Sequence, residues 1–155
     1  MRIRLAHDQL QNLKPALVQA GTREIGGQLF GEQLAPSDFC VTELTIQAQR
    51  GAFARFIVDL VQAARDAMRF FDRTEHRYTR FNYIGEWHSH PSFEVKPSPK
   101  DFRTMIELVT DPAFQGNFAI LMIVRLDGKI LSTGAWLFDP QGTARAITLE
   151  AGCGR

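Results

Sequence analysis

GEWHSHPSFEVKPSPKDF, residues Gly85–Phe102, is the stretch that decides how this chain is read. His88 and His90 are one residue apart, and Asp101 follows eleven positions after the second. Residues 82–90 read as a strand, and in a strand residues two apart share a face. The two imidazoles therefore project together, with Cα atoms about 6.5–7 Å apart. Pro91 ends the strand, and the proline-rich PSFEVKPSP is a loop. A helix follows from about Pro99 to Val109, with Phe102, Met105, Ile106 and Val109 on one face. Asp101 lies in its first turn. Ser98-Pro99-Lys100-Asp101 also fits a capping box, with Ser98 as N-cap and Pro99 at the first helical position. Two histidines and a carboxylate make a catalytic zinc set with a fourth position left for water. The cap and ligand readings of Asp101 are compatible, because a cap immobilises Ser98 and Asp101 where a site needs them. Glu86 shares the strand face of the histidines, either as a second-shell partner to a ligand imidazole or as a half-buried salt-bridge partner. Trp87 faces the other way, toward the core, and Phe81 and Tyr83 read as packing residues.

Outward from this stretch, FAILMIV (118–124) is a near-continuous apolar run, as expected of a central buried strand. Asp127-Gly128 signals a hairpin into KILSTGAWLF, and residues 143–150 add a last strand. Upstream, residues 2–6 begin a strand. Residues 8–20 form an amphipathic helix through Leu10, Leu13, Leu17 and Val18 that ends at Gly21. EIGGQLFGEQL (24–34) is a strand broken by glycines, and Pro36, Ser37 and Asp38 make a turn. Residues 39–48 alternate as a strand. Residues 56–72 form a long helix through Ile57, Leu60, Val61, Ala64, Met68 and Phe71. Helices fall between some strands and hairpins between others, which argues for an α+β (mixed α/β) fold: a single central sheet with flanking helices.

The chain has 155 residues, 45% hydrophobic and 23% charged, with net charge +1. That is expected of one globular domain, 1–155. The balanced charge argues against nucleic acid as a partner. Arg69, Arg73, Arg77 and Arg80 read as the solvated face of a helix. No apolar run approaches the roughly 18 residues of a membrane span, and MRIRLAHDQL has no signal-peptide core. Cys40 and Cys153 form no metal-spaced pair. The expectation is a reduced, cytoplasmic setting, with Cys40 in the core and Cys153 in a frayed tail.

HSHPSFEVKPSPKD resembles the motif of the JAMM (JAB1/MPN/Mov34) metallopeptidases. In that family His-x-His, often followed by Pro, precedes Ser-x-x-Asp after a fixed gap. His88, His90, Pro91, Ser98 and Asp101 match with that spacing. At roughly 5% usage per residue type, such a match arises by chance with a probability on the order of 10⁻⁵. The family's upstream glutamate, on a strand and followed by glycines, resembles Glu24 in EIGGQLFG. The pattern of Gly26, Gly27 and Gly31 singles it out among eight glutamates. The same glycines also fit a bulged strand approached by another backbone.

The resemblance covers roughly residues 22–125 and implies an MPN/JAB-like (cytidine-deaminase-like) domain. It implies one Zn2+ held by His88, His90 and Asp101, with Glu24 as proton carrier and Ser98 as oxyanion donor. It also implies a substrate that is a ubiquitin-like protein, or a protein conjugated like one, with an extended C-terminal tail. Only Asp111 to Asn117 separate the motif helix from the next strand, so the insertion of the eukaryotic deubiquitinases has no room. Gly-Glu-Trp-His-Ser-His-Pro is similar to the compact bacterial branch found in ubiquitin-like and CBASS anti-phage operons. Alternatives with different consequences are a peptidase of a ubiquitin-fold sulfur-carrier protein, a non-catalytic MPN scaffold, and a DNA-associated relative of the RadC type.

Overall fold

The computed structural model describes residues 1–47 and 60–153. Eleven elements are described: β1 (Arg2–Leu5), α1 (His7–Ala20), β2 (Gly26–Ala35), β3 (Asp38–Leu44), α2 (Leu60–Arg73), β4 (Phe81–Ser89), α3 (Pro99–Thr110), β5 (Ala119–Asp127), β6 (Ile130–Phe138), β7 (Ala144–Ile147) and β8 (Leu149–Ala151). Residue 48 of the expected third strand and residues 56–59 of the expected second helix lie outside the described residues.

The strands form one sheet in the order β7-β6-β5-β4-β2-β3-β1-β8. This is the α+β architecture expected from the sequence. The apolar run gives β5, paired parallel to β4 and antiparallel to β6 in the middle of the sheet. Its alternate residues feed two cores. Ile120, Met122 and Val124 join Leu13 and Leu17 of α1, whereas Leu121 and Ile123 join Met105 and Val109 of α3. α1 thus covers one face and α3 the other. α2 packs on the α3 face, where Phe70 stacks on Phe30 at 4.8 Å between ring centroids. Burial from water of these apolar side chains, each worth about 1.5–3 kcal/mol, is what holds the layers together. Four residues expected on buried helix stripes, Val18, Val61, Ala64 and Met68, are instead exposed. The stripes run through Leu13 and Leu17 on α1 and through Ala63 and Phe70 on α2.

The single last strand expected over 143–150 is two strands at opposite edges of the sheet. β7 pairs with β6, and β8 pairs parallel with β1. Only Thr148 separates Ile147 from Leu149, so the two edges lie within about 7–8 Å of each other. The sheet therefore curls round its α1 face, with α1 filling the concavity.

β8 carries Cys153 across β1 to Cys40 on β3, and the two form a disulfide with Cα atoms 6.1 Å apart. This corrects the expectation of separate, reduced cysteines and of a frayed Cys153. The pairing was hidden because β8 joins the edge away from its chain neighbour. The arginines also differ from expectation. Arg69 and Arg73 belong to α2, but Arg77 and Arg80 follow it. The four pair with Asp66, Glu43, Glu75 and Glu32 respectively. No helix among the described residues is long and apolar enough to cross a membrane.

Candidate metal centre and catalytic cavity

β4 ends where the sequence places it, and His88 and His90 leave it on the α3 face. Their Nε2 atoms are 3.0 Å apart. Asp101 Oδ2 lies 3.6 Å from the first and 3.8 Å from the second. Taken one ligand atom per residue, the three groups fall within 4.8 Å of one another. The His90 ring is oriented by its other nitrogen, 2.8 Å from the Glu94 carbonyl. A carbonyl only accepts, so Nδ1 carries the proton and Nε2 presents its lone pair to the cluster. This acceptor was invisible in the sequence, because any residue has a carbonyl.

Asp101 makes the expected cap with the same oxygen, Oδ2, that faces the two imidazoles. The Ser98 N–H donates to Oδ2 at 2.7 Å, and the Asp101 N–H donates to Ser98 Oγ at 3.2 Å. That is a complete capping box with Pro99 at the helix start. Burial works to raise the Asp101 carboxyl. His88 and the Ser98 hydroxyl and N–H outweigh it and hold the group well below the usual carboxylate range. Ser98 Oγ accepts from the backbone, while its own proton can turn toward the Asp101 carboxylate on the cavity wall.

That cavity, about 600 Å³, is lined by His88, His90, Ser98 and Asp101 together with Glu24, Glu86, Thr104, Met105 and Leu121. Glu24 sits two residues before β2 rather than within it. It is placed through the middle residue of His-Ser-His. Ser89 faces the opposite side, where its N–H donates to Ile25 O at 2.8 Å and its Oγ accepts from Ile25 N at 3.0 Å. The glycines after Glu24 do what a crowded strand requires. Cβ atoms at Gly27 and Gly31 would lie 2.1 and 2.3 Å from the carbonyl oxygens of Thr45 and Cys40.

Glu86 is half-buried on the cavity wall and makes no ion pair or hydrogen bond to an imidazole among the described residues. Burial pushes its carboxyl up, against the influence of Tyr83 and His88. Tyr83 is its neighbour although an odd number of residues separates them. The pairing of β4 with β2 slips between Tyr83 and Gly85, which leaves Ile84 as an extra residue. This bulge puts Tyr83 on the face of Glu86 and His88. The Tyr83 hydroxyl is buried against the carboxylate without closing a hydrogen bond of normal length. Burial, then the Glu86 charge, raise its pKa. Without the bulge, strand parity would put Tyr83 on the face of Trp87. Trp87 is fully buried on the α1 face, with Nε1 donating to Thr45 O at 2.8 Å.

The donor set fits zinc. A tetrahedral ion with bonds of about 2.0–2.1 Å needs ligand atoms roughly 3.3 Å apart, and the three separations are 3.0, 3.6 and 3.8 Å. Nitrogen and carboxylate oxygen suit that ion, and two facing imidazole lone pairs repel unless a cation or proton lies between them.

Comparison with known proteins agrees with this geometry. The model of a family described as prokaryotic homologs of the JAB domain matches residues 8–137. A curated protein of Enterobacter hormaechei subsp. hoffmannii (strain UCI 50), named CD-NTase/cGAS isopeptidase, is 25% identical over 126 residues. The match covers 77% of this chain and 65% of that relative, less than two thirds of its length. The solution structure of DSY2949 from Desulfitobacterium hafniense superposes with a TM-score of 0.71 at 18% identity, covering 97% of this chain and 92% of that one. A solution structure from Salinibacter ruber (strain DSM 13855) gives 0.60 at 19% identity, with 96% and 91% covered. The two structural likenesses concern the fold alone.

Proposed function

From the premise that the chain belongs to the family of prokaryotic homologs of the JAB domain, we propose that it is a zinc-dependent isopeptidase. It cleaves after the C-terminal residue of a ubiquitin-like modifier, or of a protein conjugated like one. The observation that carries the reading is the convergence of His88, His90 and Asp101 in a cavity that Glu24 and Ser98 also line. The relative named CD-NTase/cGAS isopeptidase supports deconjugation in a CBASS anti-phage setting, with a conjugated nucleotidyltransferase as the substrate class.

His88, His90 and Asp101 would hold the ion. When bound, zinc would supply Lewis acidity, lowering the pKa of a coordinated water toward neutrality. Glu24, a carboxylate on the wall, takes a proton at its side-chain oxygen and delivers it to the leaving amine. Ser98 Oγ, fixed by the cap, turns its proton to the carbonyl oxygen as negative charge develops there. Met105 and Leu121, both buried, give the cavity apolar lining.

The test is metal analysis with X-ray absorption at the zinc edge, followed by incubation of the zinc-loaded protein with ubiquitin-like fusion proteins. The expected results are about one zinc per chain in a nitrogen and oxygen shell, and cleavage after the modifier's last residue. A sulfur shell, or four protein ligands, would overturn the assignment.

A further inference from the structure

The row that contains His88 continues across the sheet to a residue with no side chain. Ile123 of β5 is paired with His88 on one side and with Gly134 of β6 on the other. Directly opposed residues share a face, so Gly134 lies beneath the same layer as the ligand, two strand spacings away, roughly 9–10 Å. The loop between the ligand histidines and α3 crosses this point. A Cβ at Gly134 would lie 2.2 Å from the Val95 carbonyl oxygen and 2.8 Å from two ring atoms of Trp136.

We propose that Gly134 is a positioning residue for the metal centre. It leaves the seat on which the 91–97 loop rests, and so sets the height at which Glu94 meets His90. The inference depends on reading His88, His90 and Asp101 as metal ligands. Glu94, next to the seated Val95, supplies the carbonyl that takes the His90 Nδ1–H at 2.8 Å. With a methyl group at 134 the loop must rise by roughly 1 Å to regain ordinary contact. A rise of that size takes the Glu94 oxygen beyond hydrogen-bond range. The loop cannot absorb the shift locally. It is tied at one end by His90 N–H donating to Val124 O at 2.9 Å, and at the other by the Ser98–Asp101 box. Pro91 and Pro97 fix two of its φ angles. The displacement therefore reaches the His90 ring, which loses both its tautomer and its aim.

The test has a metal-free readout and a metal readout. In long-range proton–nitrogen spectra of the metal-free wild type, His90 is expected as the Nδ1–H tautomer. Gly134→Ala is expected to keep a dispersed amide spectrum, to show a mixed His90 tautomer, and to bind zinc 10–100-fold more weakly in competition with a chromophoric chelator. Val95→Ala, which keeps the carbonyl and the seat, is expected to bind zinc like the wild type. If Gly134→Ala does not fold, Gly134→Ala/Trp136→Phe removes the ring clash and isolates the backbone one, and the same losses are expected. An Nε2–H tautomer in the wild type overturns the proposal. So does a folded alanine variant with wild-type tautomer and zinc affinity within about twofold of the wild type. Failure of the wild type to bind zinc would overturn the metal-ligand reading instead, and the metal-free spectra would still decide whether Gly134 governs His90.

Discussion

Ser98 has two separable jobs, and two substitutions distinguish them. As N-cap, its Oγ accepts from Asp101 N at 3.2 Å, longer than the usual 2.9–3.0 Å of such bonds. The loss on Ser98→Ala should therefore fall near the middle of the usual range, about 1 kcal/mol, or roughly 2–4 °C in Tm for a chain of this size. Glycine is a tolerable N-cap, costing only a few tenths of a kcal/mol, so Ser98→Gly should melt within about 1–2 °C of the wild type. As oxyanion donor the hydroxyl is lost in both variants, and turnover should fall by on the order of 10²–10³ in each. Asp101 Oδ2 keeps its backbone donor, Ser98 N–H, in both, so zinc binding should persist. The assay is a melt, a zinc titration and turnover of one fusion substrate for all three proteins. If Ser98→Gly recovers wild-type turnover while Ser98→Ala loses it, the hydroxyl acts only as a cap and the reasoning fails.

Glu24→Gln should keep fold and zinc while lowering turnover by a factor on the order of 10²–10⁴; near-normal turnover would exclude Glu24 as the base. Asp101 is held low in the folded, metal-free protein. Its contribution is therefore complete above the unfolded carboxylate value of about 3.9 and is lost as pH falls below it. Urea titrations from pH 6 to 2.5 should show a shallower acid limb for Asp101→Asn, and identical limbs would refute the link. The Cys40–Cys153 bond spans 113 residues, which in the chain-entropy account stabilises by about 4–5 kcal/mol. Dithiothreitol or Cys153→Ser should then lower Tm by on the order of 10 °C, and an unchanged melt would show that the strand pairing alone suffices.

The cluster of His88, His90 and Asp101 was legible because its rules are local. A two-residue strand period aligns His88 and His90, and a helix cap fixes Ser98 and Asp101. Glu24 was legible only through family resemblance, since its place depends on Ile25 pairing with Ser89, 64 residues away. Tyr83 packs against the core as read, but its closeness to Glu86 was not legible, because a bulge reverses parity and leaves no mark that periodicity can detect. Gly134 could be seen as a glycine, but not as the floor of a loop forty residues upstream. The pairing of Cys40 with Cys153 was unreadable for a topological reason: neighbouring residues, Ile147 and Leu149, were sent to opposite edges.

That closure also orders the assembly of the chain in time. Ile3 of β1 pairs with Leu149 of β8, so β1 is made long before its outer partner. Until then it pairs on one side alone, with β3, and offers an open parallel edge to any extended segment nearby. The strands β4 through β6 are built from neighbours close in sequence and can be complete beforehand. A nascent chain would thus hold His88 and His90 in place while its far edge is still open, and sealing that edge would be the slow, late step.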